Sequence, residues 1–201
     1  MALVSAGGQR DLVGPGTTLE GHPDNIAAAL LGGLASGCVC DDGRVLVQST
    51  PWPEEVRFVA VTPEARVKTP DARKVLPDSI SRDDAVFNLQ RLALLMQALA
   101  GHRHDLLREA LKDRWHQPYR EALVPGLAEA LALEHPDLLG VCLSGSGPTI
   151  VALVVENAEG VTQAFTDLYT RLDVACRVRV LAAHNSRQSR AGRDPSGPDR
   201  T

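Results

Sequence analysis

The stretch LGVCLSGSGPTIVALVV, residues 139–155, decides the fold. Two apolar runs of strand length flank a turn in which serine and glycine alternate. Because glycine and serine favour turns, this stretch predicts two neighbouring strands with a short connection. Two more apolar runs predict further strands: VRFVAVTP (56–63), earlier in the sequence, and CRVRVLAA (176–183), later in the sequence.

Helical patterns separate these strands. Residues 82–100 place apolar side chains at helical spacing, and residues 158–173 form a second amphipathic pattern. Between them, we expect a helix over about 103–114 and another running from after QPYR to about residue 135. The order from residue 56 is therefore strand, helices, strand, strand, helix, strand, which indicates the α+β class with helices on one face of an antiparallel sheet.

The N-terminal part has its own pattern. PDNIAAALL (23–31) predicts a helix that ends at a glycine pair, and the next two apolar runs, joined by DDG (41–43), predict a β-hairpin. TPDARKVLP (69–77) predicts a short helix. Residues 1–18 are glycine-rich and irregular, and the polar tail 185–201 is expected to be disordered.

Composition excludes several classes of partner. A net charge of −4 and 3% aromatic residues argue against nucleic acid and against an anionic membrane surface. We find neither a transmembrane segment nor a signal peptide, and therefore expect a cytoplasmic protein. The cysteines lack zinc-site spacing, so we expect reduced, buried thiols at Cys38, Cys40, Cys142 and Cys176.

LEGHPDN (19–25) concentrates polar groups just before a helix. The Glu20 carboxylate offers the oxygen ligand that Mg²⁺ prefers, and the adjacent helix start offers N–H groups to an anion. An alternative is purely structural: Asp24 and Asn25 satisfy the first N–H groups of the helix, and His22 is incidental. Spacing alone leaves both interpretations open.

LSGSGPT (143–149) and two arginines are the other candidates. Successive N–H groups in a glycine-serine turn can bind an anion, although a plain turn between strands explains the same residues. Arg73 and Arg120 can each bind a carboxylate or phosphate with two hydrogen bonds, or lie in solvent. The remaining histidines show no partner spacing, and we expect His102 and His104 to be solvated.

LEGHPDNIAAALLGGL, TPDARKVLP, PYREALVPGL and LSGSGPTIVAL, in this order and spacing, resemble the GHMP small-molecule kinases, and among them the kinases that use homoserine as acceptor. The resemblance runs from about residue 19 to about residue 183. It implies a GHMP-kinase-like fold, with a C-terminal ferredoxin-like α/β sandwich and the remnant of an N-terminal nucleotide domain. The implied division is 1–18 irregular, 19–55 N-terminal remnant, 56–184 C-terminal domain and 185–201 tail.

The resemblance also assigns roles to residues. Glu20 matches the magnesium-binding glutamate, and Arg73 matches the arginine that would bind the carboxylate of the amino acid. A third motif, a glycine loop near the phosphates, matches Ser144, Gly145, Ser146 and Gly147. The residues that match the homoserine site are His22, Asp24, Asn25, Thr69, Arg73 and Arg120.

The implied reaction transfers the γ-phosphoryl group of ATP to the side-chain hydroxyl of L-homoserine, with Mg²⁺, in threonine biosynthesis. The resemblance implies no certain catalytic base, and homodimers are common in the family. The family's ATP loop, P-x-x-x-G-L-G/S-S-S-A, has no match here, so we expect a truncated chain with little kinase activity alone. Two alternatives stay open: a different small alcohol as acceptor, or a non-catalytic amino-acid-binding fragment.

Overall fold

The structure, a computed structural model, describes residues 13–14, 17, 22–64, 74–155 and 157–185. The chain divides into two units, one formed by Met1–Trp52 with His184–Thr201 and the other by Pro53–Ala183. The described elements of the first unit are α1 (Asp24–Leu31), β1 (Leu34–Val39) and β2 (Val45–Thr50). Those of the second are β3 (Val56–Pro63), α2 (Arg82–Ala100), a 3₁₀ turn (His104–Leu106), α3 (Leu107–Ala110), α4 (Gln117–Arg120), α5 (Leu127–Leu131), β4 (Leu138–Leu143), β5 (Ile150–Val155), α6 (Ala158–Arg171) and β6 (Cys176–Leu181).

The first unit is a helix packed on a β-hairpin. β1 and β2 pair antiparallel around the predicted DDG turn, with Val39 opposite Val45. Gly43 has φ +82°, a conformation that suits glycine. Gly37 lets α1 approach the hairpin, because a Cβ there would lie 3.0 Å from the Pro23 side chain. The predicted helix and hairpin are therefore both confirmed.

Residues 184 and 185 return to this first unit. The Gly33 N–H donates to the His184 carbonyl at 2.8 Å. The Asn185 side chain accepts from the Trp52 N–H at 2.8 Å and donates to the Trp52 carbonyl at 2.9 Å. One side-chain amide thus satisfies both backbone groups of Trp52, so Asn185 is held in place.

The second unit is built on a four-stranded antiparallel sheet in the order β4-β5-β3-β6. β3 lies between β5 and β6, with Val59 opposite Ala152 on one side and Val180 on the other. The chain order β3, helices, β4, β5, α6, β6 is the β-α-β-β-α-β pattern of ferredoxin-like folds. The α+β class with an antiparallel sheet is therefore confirmed.

The core of this unit lies between the sheet and the pair α5 and α6. α6 is capped by Asn157, whose side chain accepts from the Glu159 N–H, and the helix buries one apolar face. The Tyr169 hydroxyl on that face donates to the Pro125 carbonyl at 3.1 Å and ties α6 to the turn before α5. The buried core residues include Val59, Val61, Val124, Leu127, Ala130, Leu143, Ile150, Ala152, Val154, Val161, Phe165, Leu168 and Tyr169.

Two predicted helices are shorter than expected. The helix expected over about 103–114 ends at Ala110, because the chain turns there toward the capped start of α4. The long helix expected after QPYR was wrong: QPYR itself forms α4, and α5 begins only at Leu127. Pro125 has no N–H to donate, and Gly126 has φ +74°. These two residues therefore interrupt the predicted helix before α5 begins.

The cysteines are free thiols as predicted, but the prediction that they are buried was wrong for Cys38, which is exposed, and Cys40, Cys142 and Cys176 are only half-buried. Within the described residues, no helix is both long enough and apolar enough to cross a membrane.

Candidate functional site

The glycine turn between β4 and β5 is the centre of the candidate site in the second unit. The Ser144 N–H donates to the Thr149 carbonyl at 2.8 Å, and the Gly147 N–H donates to the Ser144 carbonyl at 3.0 Å. Gly145 has φ +56° and Gly147 has φ +82°, both in the left-handed region that favours glycine. The turn therefore needs glycine at both positions.

The same turn leaves backbone donors available on its outer side. Ser144 and Gly145 are exposed, and Ser146 is half-buried. Among the described residues, no hydrogen bond uses the N–H groups of Gly145 and Ser146. Consecutive unused N–H groups next to a positive-φ glycine are the arrangement that binds anions in proteins.

Gly147 lies at a crowded position, where a side chain would press against its neighbours. A Cβ at Gly147 would lie 3.0 Å from Val124 Cγ2 and 3.1 Å from Leu143 Cδ1. Val124 is fully buried, so it has little room to move away. The turn is thereby packed against the segment that follows α4.

Arg120, at the end of α4, holds the turn directly. Its side chain is largely enclosed, with 8% of the residue exposed, and its Nη1 donates to the Gly145 carbonyl at 2.9 Å. The same nitrogen lies 3.2 Å from His116 Nδ1. Because guanidinium only donates, His116 Nδ1 is the acceptor, which places the ring proton on Nε2.

The start of α4 is fixed by Asp113. Its carboxylate accepts from the N–H groups of His116 at 2.8 Å and Gln117 at 2.6 Å. The Asn88 side chain donates to it at 2.6 Å. Burial opposes ionisation of Asp113, but the N–H groups of Gln117 and His116 outweigh it and lower the pKa of the carboxyl.

The pKa of His116 is also lowered. Burial is the largest cause, and the neighbouring Arg120 cation acts in the same direction, whereas Asp113 opposes it. His116 is therefore neutral at pH 7, as its acceptor role toward Arg120 requires.

Gln117 is a positioning residue that sequence reasoning missed. Only 4% of it is exposed, and its Oε1 accepts from the Leu143 N–H at 2.7 Å. Its Nε2 donates to the Leu111 carbonyl at 3.3 Å. Gln117 thus fixes the last residue of β4 before the glycine turn, and the only sequence signal for this role was its place beside the quoted PYR motif.

The other sequence-predicted site residues lie elsewhere. His22, Asp24 and Asn25 belong to the first unit, where all three are exposed at the start of α1. The Asp24 carboxylate accepts from the Asn25 N–H at 2.8 Å, so Asp24 does satisfy a helix N–H group. The predicted site residues outside the described part of the chain are Glu20, Thr69 and Arg73.

The structure thus brings together Arg120 and the turn Ser144–Gly147, within one unit. Their arrangement combines a buried cation, two backbone N–H groups without a partner among the described residues, and a neutral imidazole. Such a site suits an anionic ligand, because the guanidinium and the two N–H groups are all donors.

Comparison with known proteins places this unit in a family. The family profile described as "GHMP kinases C terminal" matches residues 95–171, a span that includes Arg120 and the glycine turn. Residues 95–171 are therefore similar to the C-terminal domain of the GHMP kinases, as the motifs predicted.

Within that family, the similar proteins are homoserine kinases. The homoserine kinase of Aquifex aeolicus is 43% identical over 168 residues, which is 83% of this chain and 56% of that protein. The homoserine kinase of Solibacter usitatus is 44% identical over 151 residues, or 75% of this chain and 50% of that protein. The chain spans about half the length of the curated relatives it matches.

A solved structure agrees with this similarity. The crystal structure of homoserine kinase from Cytophaga hutchinsonii superposes with a TM-score of 0.74 at 28% identity. The superposition covers 82% of this chain and 52% of that chain. The fold, as well as the sequence, is therefore similar to that of homoserine kinases over the matched part.

Proposed function

We propose that this chain is part of a homoserine kinase, which transfers the γ-phosphoryl group of ATP to the side-chain hydroxyl of L-homoserine. The product is O-phospho-L-homoserine, a step of threonine biosynthesis. The observation that carries this proposal is the 43% identity to a homoserine kinase over 83% of the chain. The buried Arg120 against the glycine turn supports it, since both belong to the motifs that match.

The amino acid acceptor is recognised by its charged groups. Arg73 and Arg120 bind the carboxylate, since a guanidinium offers two parallel N–H donors to two oxygens. The sequence motifs also assign His22, Asp24, Asn25 and Thr69 to acceptor binding. The enclosed position of Arg120 favours this role, because a cation shielded from water binds a carboxylate more strongly than a solvated one.

The phosphate groups of ATP lie at the glycine turn in this proposal. The N–H groups of Gly145 and Ser146 have no protein partner among the described residues, so they are available to phosphate oxygens. Glu20 supplies a hard carboxylate oxygen suited to Mg²⁺. Bound Mg²⁺ would supply charge neutralisation on the phosphates.

The chemistry needs little more than positioning. A loose phosphoryl-transfer transition state requires that the hydroxyl is aligned with the γ-phosphoryl group. It also requires hydrogen-bond donors that stabilise the developing negative charge. We assign no catalytic base. We also propose that the protein is a homodimer and that it is cytoplasmic. The four free thiols agree with a reducing compartment.

Acceptor binding is tested by isothermal titration calorimetry. We expect L-homoserine to bind at least tenfold more tightly than L-2-aminobutyrate, which lacks the side-chain hydroxyl, and than the methyl ester of homoserine, which lacks the carboxylate. Arg120→Ala and Arg73→Ala should each abolish this preference for the carboxylate. Arg171→Ala, an exposed arginine on α6, is the matched control and should leave affinity unchanged.

Chemistry is tested by following ADP and O-phosphohomoserine with ATP and Mg²⁺ present. Formation of phosphohomoserine supports the proposal directly, and homoserine binding without turnover supports the acceptor pocket. Absence of both, or turnover of another small alcohol with no response to homoserine, would contradict it.

A further inference from the structure

A cluster of Glu55, His102 and His104 lies in the second unit, apart from the glycine turn in sequence and in its contacts. Glu55 precedes β3, while the two histidines follow the end of α2. Glu55 Oε1 lies 2.6 Å from His102 Nδ1 and 3.3 Å from His104 Nε2. One ligand atom from each residue lies within 4.8 Å of the other two. His102 is exposed, as expected, but the expectation missed the Glu55 carboxylate, 47 residues upstream of His102, which contacts both histidines.

The end of α2 fixes the position of His102. The Arg103 N–H donates to the Ala98 carbonyl at 2.8 Å, and the His102 N–H donates to the Leu99 carbonyl at 3.4 Å. These two bonds form a Schellman motif, whose left-handed residue is usually glycine. Here that residue is His102, with φ +52°. A side chain is thus present where glycine would be conformationally easier, and its ring points to Glu55.

His104 carries an unsatisfied nitrogen into the same cluster. Its Nε2 is buried and has no hydrogen-bond partner within the described residues. The 3.3 Å contact with the Glu55 carboxylate is close, but it is not a hydrogen bond. A buried ring nitrogen without a partner costs free energy, and coordination of a cation would remove that cost.

We propose that Glu55, His102 and His104 bind a divalent transition-metal ion such as Zn²⁺. Two imidazole nitrogens and one carboxylate oxygen are a common ligand set for this ion, with water in the fourth position. Ligands about 2.0–2.1 Å from a tetrahedral ion are about 3.3–3.4 Å apart. The distance between Glu55 and His104 already matches this edge. The 2.6 Å between Glu55 Oε1 and His102 Nδ1 is shorter than this edge. His102, whose side chain is 64% exposed, can rotate outward to lengthen that distance.

The local charges favour a cation. The Glu55 carboxylate lies against both imidazole rings. The nearby Arg103 guanidinium is paired with Asp105 through bonds of 2.9 and 2.7 Å. Its charge is therefore largely compensated beside the cluster.

The site is tested on the 201-residue chain after removal of any affinity tag. Titration calorimetry with Zn²⁺ should show one site, and Co²⁺ should give the intense visible absorption of tetrahedral coordination. Glu55→Gln and His104→Gln should each weaken Zn²⁺ binding at least tenfold. His135→Gln is the matched control, because His135 has a carboxylate neighbour, Asp137, at 3.8 Å but no second histidine.

His102→Gly keeps the test decisive if another variant unfolds. Glycine is the preferred residue at that position of a Schellman motif, so this variant should fold at least as well as the parent chain without metal. A hundredfold excess of Zn²⁺ over Kd should raise the Tm of the parent by roughly 5–10 °C and leave His102→Gly unchanged. The proposal is overturned if the parent chain does not bind Zn²⁺ below 1 mM, or if His135→Gln loses as much affinity as the cluster variants.

Discussion

Among the described residues, two glycine turns connect antiparallel strands, and they close in a similar way. In the DDG turn, the Cys40 N–H donates to the Arg44 carbonyl and the Gly43 N–H donates to the Cys40 carbonyl. In the turn between β4 and β5, the Ser144 N–H donates to the Thr149 carbonyl and the Gly147 N–H donates to the Ser144 carbonyl, so this turn is one residue longer. Each turn has a glycine with φ +82°.

Their surroundings differ. Nothing lies within 4 Å of the position where Gly43 would carry a Cβ, and the turn is supported by its own exposed pair Arg44–Asp42. The second turn is supported from outside by the buried Arg120 and Val124. Local sequence therefore explains how either turn closes, but only distant residues make the second one rigid enough to serve as a site.

The largest effect should come from Arg120→Ala. It removes a buried guanidinium and its bond to the Gly145 carbonyl, and we expect the free energy of unfolding to fall by about 3 kcal/mol. Homoserine affinity should fall at least tenfold. Urea unfolding and calorimetry measure both.

Arg44→Ala is the control for that change, since it removes an exposed arginine from the other turn. We expect no measurable shift of its urea midpoint. Equal midpoints for the two alanine variants would show that Arg120 does not hold its turn. Arg120→Lys should restore part of the stability but not the bidentate binding of a carboxylate.

The next effect is expected from Gly147→Ala. The alanine Cβ would crowd Val124 and Leu143, and the alanine backbone would have to adopt a left-handed conformation. We therefore expect the free energy of unfolding to fall by about 2–3 kcal/mol. Gly43→Ala has the same φ without the crowding and should lose about 1 kcal/mol. Thermal unfolding of both variants isolates the packing contribution, and equal losses would contradict it.

Gln117→Leu should have a somewhat smaller effect. The Leu143 N–H would be left buried without an acceptor, at a cost of about 2 kcal/mol. Amide hydrogen exchange at Leu143 should accelerate in the same variant. Gln163→Leu, which removes an exposed partner of Asp167, is the control and should change stability by less than about 0.5 kcal/mol. Unchanged exchange at Leu143 would contradict the assigned bond.

The smallest effect is a pH dependence from His116. Its folded-state pKa is lower than the ordinary 6.5, so the unfolded chain binds this proton more readily. The contribution of His116 to stability is present above about pH 6.5 and is lost as the pH falls through the folded-state pKa. Urea unfolding from pH 7.5 to 5 should show a smaller decline for His116→Gln than for the parent, and equal declines would contradict this assignment.

Most of the fold was predictable because its elements carry local signals. The hairpin around DDG, the strand Val56–Pro63 and the helix Arg82–Ala100 match their patterns, since each depends on periodicity and turn residues. The helices between Arg103 and His135 were not predictable in detail. There the Asp113 carboxylate starts a helix from the end of a turn, a role that depends on contacts with Asn88.

The candidate site was predictable only in part. Motifs pointed to Arg120 and the glycine turn, and the structure brings these together. Gln117 acts through a bond to Leu143, 26 residues away, and Glu55 meets His102 across 47 residues. Periodicity and spacing carry no information about such pairs. The predicted convergence of His22 and Arg73 with this site, and the domain boundaries, stay predictions.

The clasp of Trp52 by Asn185 has a consequence for synthesis of the chain. A ribosome makes the hairpin first, but the side chain that satisfies Trp52 emerges only after the whole second unit has left the tunnel. The two hydrogen bonds between Trp52 and Asn185 can therefore form only after the second unit has been synthesised, although domains generally fold in order of synthesis. An expression fragment that stops at Ala183 lacks both of these bonds.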